Sequence, residues 1–199
     1  MIRVKSAFAS LLLAATVLLS GCGINNIPTY DEQVKADWAQ VQNQYQRRAD
    51  LIPNLVATVK GYAAHEQETL QAVVEARAKV GQLKVDQSVL NNPQALQQFD
   101  QAQGQLTSAL SRLMVVVERY PDLKANQNFL ALQSQLEGTE NRIAIARRDF
   151  ILAVQRYNTE IRTYPGRFWH SMLYSDMQVR PNFEATAPAA DKAPEVNFQ

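Results

Sequence analysis

Apolar side chains between residues 29 and 165 recur at helical spacing, three or four residues apart, instead of alternating. The clearest example is a seven-residue repeat in the last of four such stretches: Phe129, Leu136, Ile143, Phe150, Tyr157 and Tyr164. A sustained seven-residue period keeps one side of a helix against a neighbour. Because four apolar stripes must bury one another, the sequence predicts an all-α fold, an elongated antiparallel four-helix bundle with long helices.

Capping residues and prolines predict where these helices begin and end. A Thr-x-x-Glu capping box at 29–32 marks the first helix, and Pro53 either kinks that helix or opens a new one from Asp50. Asn92-Pro93 gives a later helix a capped start. The fourth helix is expected over 125–164, a rod of about 60 Å, and Pro165-Gly166 should stop it.

The first 22 residues have a different character. Arg3 and Lys5 precede an apolar run over 7–19, which is typical of an export signal and short for a membrane span. The run ends in Leu19-Ser20-Gly21-Cys22, the arrangement of a bacterial lipoprotein signal, and Cys22 is the only cysteine. We therefore expect cleavage before Cys22 and fatty acids on its sulfur, which would hold the protein firmly on a membrane. An uncleaved anchor helix from about Val4 is the alternative.

These signals predict the location and the domain organisation. We expect a signal peptide over 1–21, a lipidated tether over 22–28, a helical bundle with an apolar C-terminal segment over 29–184, and a mobile tail over 185–199. The bundle would face the periplasm, and Gly23, in place of an Asp, favours the outer over the inner membrane. The apolar segment at 168–174 is either a flap on the bundle or a contact with a membrane interface or a partner.

Charge and composition exclude some classes of function. The signal contains two of the 20 basic residues, which leaves 18 against 19 acidic residues. This balance gives no support for nucleic-acid binding, which needs a clustered basic surface. With no cysteine besides Cys22, the domain has no internal disulfide and must be stabilised by packing.

Residues for catalysis or metal binding are scarce. His65-Glu66 begins like a zinc-protease motif, but Thr69 stands where the second histidine is needed. Neither His65 nor His170 has a glutamate three residues before it, as a di-iron bundle requires. The sequence contains neither a Gly-x-Ser-x-Gly elbow nor a Gly-rich phosphate loop. We therefore predict no enzyme, with no catalytic residue, cofactor or metal.

Two charged runs, over 46–56 and 139–148, lie beside core positions, and Arg48 falls on the apolar stripe itself. They form either buried ion pairs that fix helix register, for example Arg48 or Arg147 against Glu140, or a groove whose arginines bind a partner's carboxylates. The candidate residues are Arg47, Arg48, Asp50, Asn54, Glu140, Asn141, Arg142 and Arg147.

Three stretches closely resemble the LemA family: RRADLIPNLVATVKGYAAHEQETLQAVVEARAKV (47–80), RYPDLKANQNFLALQSQLEGTENRIAIARRDF (119–150) and YNTEIRTYPG (157–166). The resemblance covers about residues 30–184. It implies a long antiparallel helical bundle, mostly up-and-down, that lies outside the bilayer of a membrane, with no established activity or cofactor. Family members often accompany TPM-domain membrane proteins, and one relative belongs to the magnetosome membrane. Where the family is usually Gly-rich, this chain reads RFWHSMLYSDM.

The expected function is a non-enzymatic envelope lipoprotein that binds or scaffolds membrane proteins. The expected partners are the membrane itself, through lipid on Cys22, and a membrane protein, for instance of the TPM-domain type. Two alternatives stay open. One is a structural protein that organises the membrane by self-association, and the other is an accessory subunit of an envelope enzyme.

Overall fold

The computed structural model describes residues 23–83 and 86–183, and this part of the chain is helical and contains no β-strand. The prediction of an all-α fold is confirmed. The four main helices are α1 (Asn26–Tyr62), α2 (Gln67–Gln82), α3 (Pro93–Val117) and α5 (Gln127–Arg162). Shorter elements are a 3₁₀ helix (Gln87–Asn91), α4 (Pro121–Lys124) and α6 (Gly166–Leu173). The predicted signal peptide, Cys22 and the tail over 185–199 lie outside the described residues.

Capping explains one helix start and not another. The Asn92 side chain accepts a hydrogen bond from the amide of Ala95 at 3.1 Å, so the predicted cap of α3 is confirmed. The prediction that a capping box at 29–32 starts the first helix is wrong. A turn over 23–25 already leads into α1 at Asn26, and the amide of Thr29 donates to the Asn25 carbonyl inside the first turn.

Pro53 lies inside α1, which continues unbroken to Tyr62. A proline has no N–H, so the carbonyl four residues earlier, on Ala49, loses its helical partner. Arg77 of α2 supplies the missing donor, because its Nε donates to the Ala49 oxygen at 2.9 Å. The buried backbone group is therefore satisfied by a side chain from the next helix.

The remaining boundaries differ by a few residues from the prediction. The apolar stripe expected over 56–80 is divided by a turn at 63–66 between α1 and α2. α3 ends at Val117, and Pro121, expected to stop it, opens α4. α5 stops at Arg162, before the Pro165-Gly166 pair.

α1 and α5 lie antiparallel along their whole lengths. At one end the Asn26 side chain donates to Glu160 at 3.1 Å, and at the other the Asn126 side chain donates to the Tyr62 hydroxyl at 2.9 Å. α2 packs against α1 and α3. α1 and α5 have 37 and 36 residues, whereas α2 and α3 have only 16 and 25. At the end where α1 begins and α5 stops, α2 and α3 do not cover the α1–α5 pair. Other parts of the chain cover it there: the 3₁₀ helix, α6 and residues 174–183, which we call the C-terminal strap.

The core consists of two apolar clusters that follow one another along the helices. The first lies between the N-terminal half of α1 and the C-terminal half of α5 and is rich in aromatic rings. There the ring of Trp38 lies 5.3 Å from that of Phe150 and 5.5 Å from that of Phe99. The second cluster joins the C-terminal half of α1 to α2, α3 and the start of α5. Asp31 and Arg48 are the two charged residues on the buried stripe of α1, and Arg48 lies where one cluster gives way to the other.

Candidate functional site

Arg48 joins three helices through one buried guanidinium group. The residue is 1% exposed, and its Nη1 donates to Thr107 of α3 at 2.9 Å and to Glu140 of α5 at 2.8 Å. Its Nη2 donates to the backbone oxygen of Gln103 at 3.4 Å and to the side-chain oxygen of the same residue. The guanidinium carbon also lies 5.0 Å from the centre of the Tyr45 ring. We call Arg48, Gln103, Thr107 and Glu140 the Arg48 layer.

Arg147 of α5 forms a second network beside this layer. Its Nη1 donates to the Tyr45 hydroxyl at 3.0 Å and to the carboxylate of Asp100, and its guanidinium covers the ring of Phe183 at 3.9 Å. Burial opposes the charged form of Arg147, but the hydrogen bonds to Asp100 and Tyr45 raise its pKa above the usual value. Burial also raises the pKa of the Tyr45 phenol, despite the two nearby arginines. At neutral pH, Arg147 is therefore a cation and Tyr45 a neutral hydrogen-bonding group.

The eight candidate residues do not converge on one site. Arg48 contacts Glu140, as one of the two suggested pairings requires, whereas Arg147 contacts Asp100 in place of Glu140. The other five lie exposed on the outside of α1 and α5: Arg47, Asp50, Asn54, Asn141 and Arg142. The structure thus separates an interior network from a set of surface groups, and Cys22 lies outside the described residues.

A cleft of about 590 Å³ between α3 and α5 opens onto the interior network, and Tyr45, Arg48, Asp100, Gln103, Glu140 and Arg147 are among its lining residues. Most of their polar groups bind one another. Two buried atoms, Arg48 Nε and Gln103 Nε2, have no hydrogen-bond partner in the described structure. Over residues 23–83 and 86–183 there is no group of three His, Cys, Asp or Glu side chains that could hold a metal ion. The contacts that these residues make are ion pairs and hydrogen bonds, which fix the relative positions of α1, α3 and α5.

A further buried network, centred on Arg180 of the C-terminal strap, was missed by the sequence analysis. Its guanidinium donates to Asp31 of α1, with Nε at 3.0 Å, and to the side chain of Asn91 in the 3₁₀ helix. Its backbone N–H and C=O both bind the side-chain amide of Asn158, each at 2.9 Å. Lys35 also contacts Asp31, at 3.0 Å. Arg180 therefore fastens the strap to α1, α5 and the 3₁₀ helix at once.

The signal for this network was Asp31 itself. It lies seven residues before Trp38 on the same apolar stripe, and it is 2% exposed. A buried carboxylate needs a cation or several donors; Lys35, four residues further on, supplies one contact, and Arg180 of the strap supplies the others. Arg180 is 149 residues away in the chain, at a distance that no local pattern reaches. The Phe183 ring completes the strap 5.5 Å from that of Phe150.

Within the described residues, none of the helices combines the length and the apolar character needed to cross a bilayer.

Comparison with known proteins gives a consistent set of relatives. A family model described as "LemA family" matches residues 37–198. Magnetosome protein MamQ 2 from Paramagnetospirillum magneticum is 26% identical over an alignment 212 residues long, which covers 96% of this chain and 74% of the relative. Protein LemA from Metamycoplasma hominis is 26% identical over 124 residues, 62% of this chain and 52% of the relative. Magnetosome protein MamQ from Magnetospirillum gryphiswaldense is 26% identical over 180 residues, 82% of this chain and 66% of the relative. Since the family match spans most of the folded part, the chain belongs to the LemA family.

Proposed function

We propose that this protein is a lipid-anchored, non-enzymatic scaffold of the bacterial cell envelope, which binds membrane proteins with the outer surface of its helices. In this proposal Cys22 carries the lipid, the helices face the periplasm, and α1, α2, α3 and α5 act together as one up-and-down bundle. The outer membrane is favoured over the inner membrane. Several relatives are named as magnetosome proteins, which supports a membrane setting.

The observation that carries the proposal is the position of Gly23, at one end of the long helices. Gly23 follows directly on Cys22, and a Cβ atom on Gly23 would lie 3.8 Å from the Pro165 side chain. The proposed lipid is thus attached at the end where α1 begins and α5 stops. With 36 residues, α5 extends about 54 Å from this end. Gly23 also has φ of +105°, so a glycine is needed here for conformational reasons that are independent of membrane sorting.

A partner surface is available along α1 and α5, away from α3. A shallow groove of about 200 Å³ runs between these helices, with Asp37 on α1 and Arg142, Ile145 and Asp149 on α5 among its lining residues. Ile145 is 52% exposed between the charges. Exposed charges around an apolar residue suit a protein partner, because the charges orient it and the apolar contact stabilises the complex.

In-cell crosslinking of the intact lipoprotein, followed by mass spectrometry, tests the proposal. The control is a Cys22→Ser variant that carries a cleavable export signal, so that the same domain is exported without lipid. A recurrent membrane-protein partner that requires the lipid supports scaffolding, whereas self-crosslinks alone favour the structural alternative. Crosslinks at background level would overturn the scaffold. Cys22→Ser in its own signal should accumulate as an unlipidated precursor, and a normally lipidated product would refute the anchor.

Charge reversal locates the working surface. Arg142→Glu in the α1–α5 groove should abolish partner capture while the helical circular dichroism is unchanged, because this side chain is exposed. Arg112→Glu, an exposed arginine on α3, is the matched control and should capture the partner normally. Equal capture by both variants would exclude the groove as the binding surface.

A further inference from the structure

The short helix α6 is fixed on the bundle by one of its two sides. Trp169 on this side is half-buried and packs against the first core cluster. Gly166 is buried, and a Cβ atom there would overlap the backbone of Glu160. His170 Nε2 forms a hydrogen bond of 2.8 Å with the carbonyl of Met177 in the strap. α6 is therefore a firmly seated element of the fold.

The other side of α6 is apolar and uncovered. Phe168 and Met172 lie one helical turn apart and are 49% and 64% exposed, and Tyr164, in the turn that precedes α6, is 77% exposed. Leu173, beside them, is 50% exposed. Water contact with apolar surface costs about 25 cal/mol per Å², and a cluster of such residues on a soluble face marks a contact site. The clustering of these side chains therefore distinguishes α6 as a contact surface.

The position of this face identifies the occupant. α6 packs against the end of α5 and the start of α1, where Gly23 lies against Pro165. The residue before Gly23 is Cys22, the proposed site of the lipid. Arg162 and Arg167 flank the face, and neither forms an ion pair within the described structure. Apolar and aromatic residues beside free arginines match the boundary between acyl chains and phosphates.

We propose that the outer face of α6, formed by Phe168 and Met172 together with Tyr164 of the preceding turn, rests on the same lipid bilayer that holds the acylated N-terminus. This inference depends on the proposed lipid anchor. With Cys22 next to Gly23, the face is held beside the bilayer at high effective concentration, so a weak intrinsic affinity is sufficient. Two contacts, the lipid and α6, then fix this end of the bundle on the membrane and direct the α4 end away from it.

A single fluorescent probe tests the contact. Lipid on Cys22 leaves an introduced cysteine as the only free thiol, so Met172→Cys can be labelled alone with an environment-sensitive dye. The intact lipoprotein is reconstituted in vesicles of phosphatidylethanolamine and phosphatidylglycerol and exposed to iodide in the water phase or to spin-labelled lipids. The probe at 172 should lose most of its quenching by iodide and be quenched by the lipids. Lys124→Cys, on α4 at the opposite end and 56% exposed at its side chain, is the matched control and should show the reverse.

A second substitution separates contact from local structure. Phe168→Ser in the Met172→Cys background should restore iodide quenching, whereas Val115→Ser, at an exposed apolar position on α3, should leave the probe shielded. Equal iodide quenching at 172 and 124 overturns the α6 contact. Shielding that grows with protein density and is accompanied by dye self-quenching overturns it in favour of a second copy of the chain. Failure of the protein to float with the vesicles overturns the lipid anchor instead, which distinguishes the two proposals.

Discussion

Replacing Arg48 by methionine tests whether the Arg48 layer stabilises the fold or only selects one packing. Methionine keeps the apolar stem of the side chain and removes the guanidinium group. The side-chain oxygen of Gln103, a residue 3% exposed, then loses its donor, at a cost of about 1–3 kcal/mol. The side chain of Glu140 is 41% exposed and can turn to water, so its contribution is below about 1 kcal/mol. We expect Arg48→Met to lower the free energy of unfolding by about 1–3 kcal/mol.

The second step of the same experiment removes the orphaned amide. Gln103→Leu in the Arg48→Met background should recover stability to within about 1 kcal/mol of the native chain, because an apolar contact replaces a buried polar one. Gln103→Leu alone removes an acceptor from a buried cation and should cost about 1–2 kcal/mol. Urea unfolding of the full chain in detergent, followed by circular dichroism, measures all three variants. A double variant whose loss equals the sum of the two single losses would refute the reasoning. Arg112→Met, at an exposed arginine of α3, is the control and should change stability by less than about 0.5 kcal/mol.

Three further predictions concern the strap, α6 and pH. Arg180→Ala should cost about 1–3 kcal/mol, because the buried carboxylate of Asp31 loses its guanidinium donors and keeps only Lys35 as an ion-pair partner; limited proteolysis should then cut within 174–183, and Arg180→Lys should be protected in part. Gly166→Ala should destabilise the fold because its Cβ has no room, whereas Gly104→Ala, with open space around it, should raise the free energy of unfolding by about 0.5–1 kcal/mol in urea titrations. Burial raises the pKa of Tyr45 in the folded state, so its contribution is full below the usual tyrosine pKa of about 10 and is lost as pH rises further. Alkaline unfolding monitored by circular dichroism should be less steep in Tyr45→Phe, and an unchanged profile would contradict this assignment.

The helices were predictable because their signal is local. The seven-residue repeat from Phe129 to Tyr157 lies on the buried side of α5, and Asn92 caps α3 as its sequence indicates. The sequence left open whether Pro53 kinks the first helix or opens a new one from Asp50, and α1 passes through Pro53 as one helix. The choice between them depends on Arg77, a residue of the next helix that satisfies the freed carbonyl. Local sequence thus specified the elements, and tertiary contacts decided their boundaries.

The polar networks were predictable only where charged residues lie close to one another in candidate runs. Arg48 and Glu140 were both candidates, and they meet. Arg147 binds Asp100 because α3 places that carboxylate one helical turn before Gln103, a relation that the sequence of α5 does not contain. Arg180 lies in an irregular segment with no periodicity, so nothing local relates it to Asp31. Contacts between distant segments depend on the completed packing, and single-sequence patterns do not encode them.

If the protein is anchored through Cys22 as proposed, the side-chain connections between α1 and the rest of the fold have a mechanical consequence. Tension on the lipid would enter the fold at Gly23 and pass into α1. Asp31, Arg48 and Tyr62 each connect α1 to another part of the chain at a different level along the helix. Because these connections share a lengthwise load in parallel, α1 is loaded in shear and does not peel away one contact at a time. The molecule would then behave as a stiff strut, which transmits movement of the membrane surface to whatever is bound along its side.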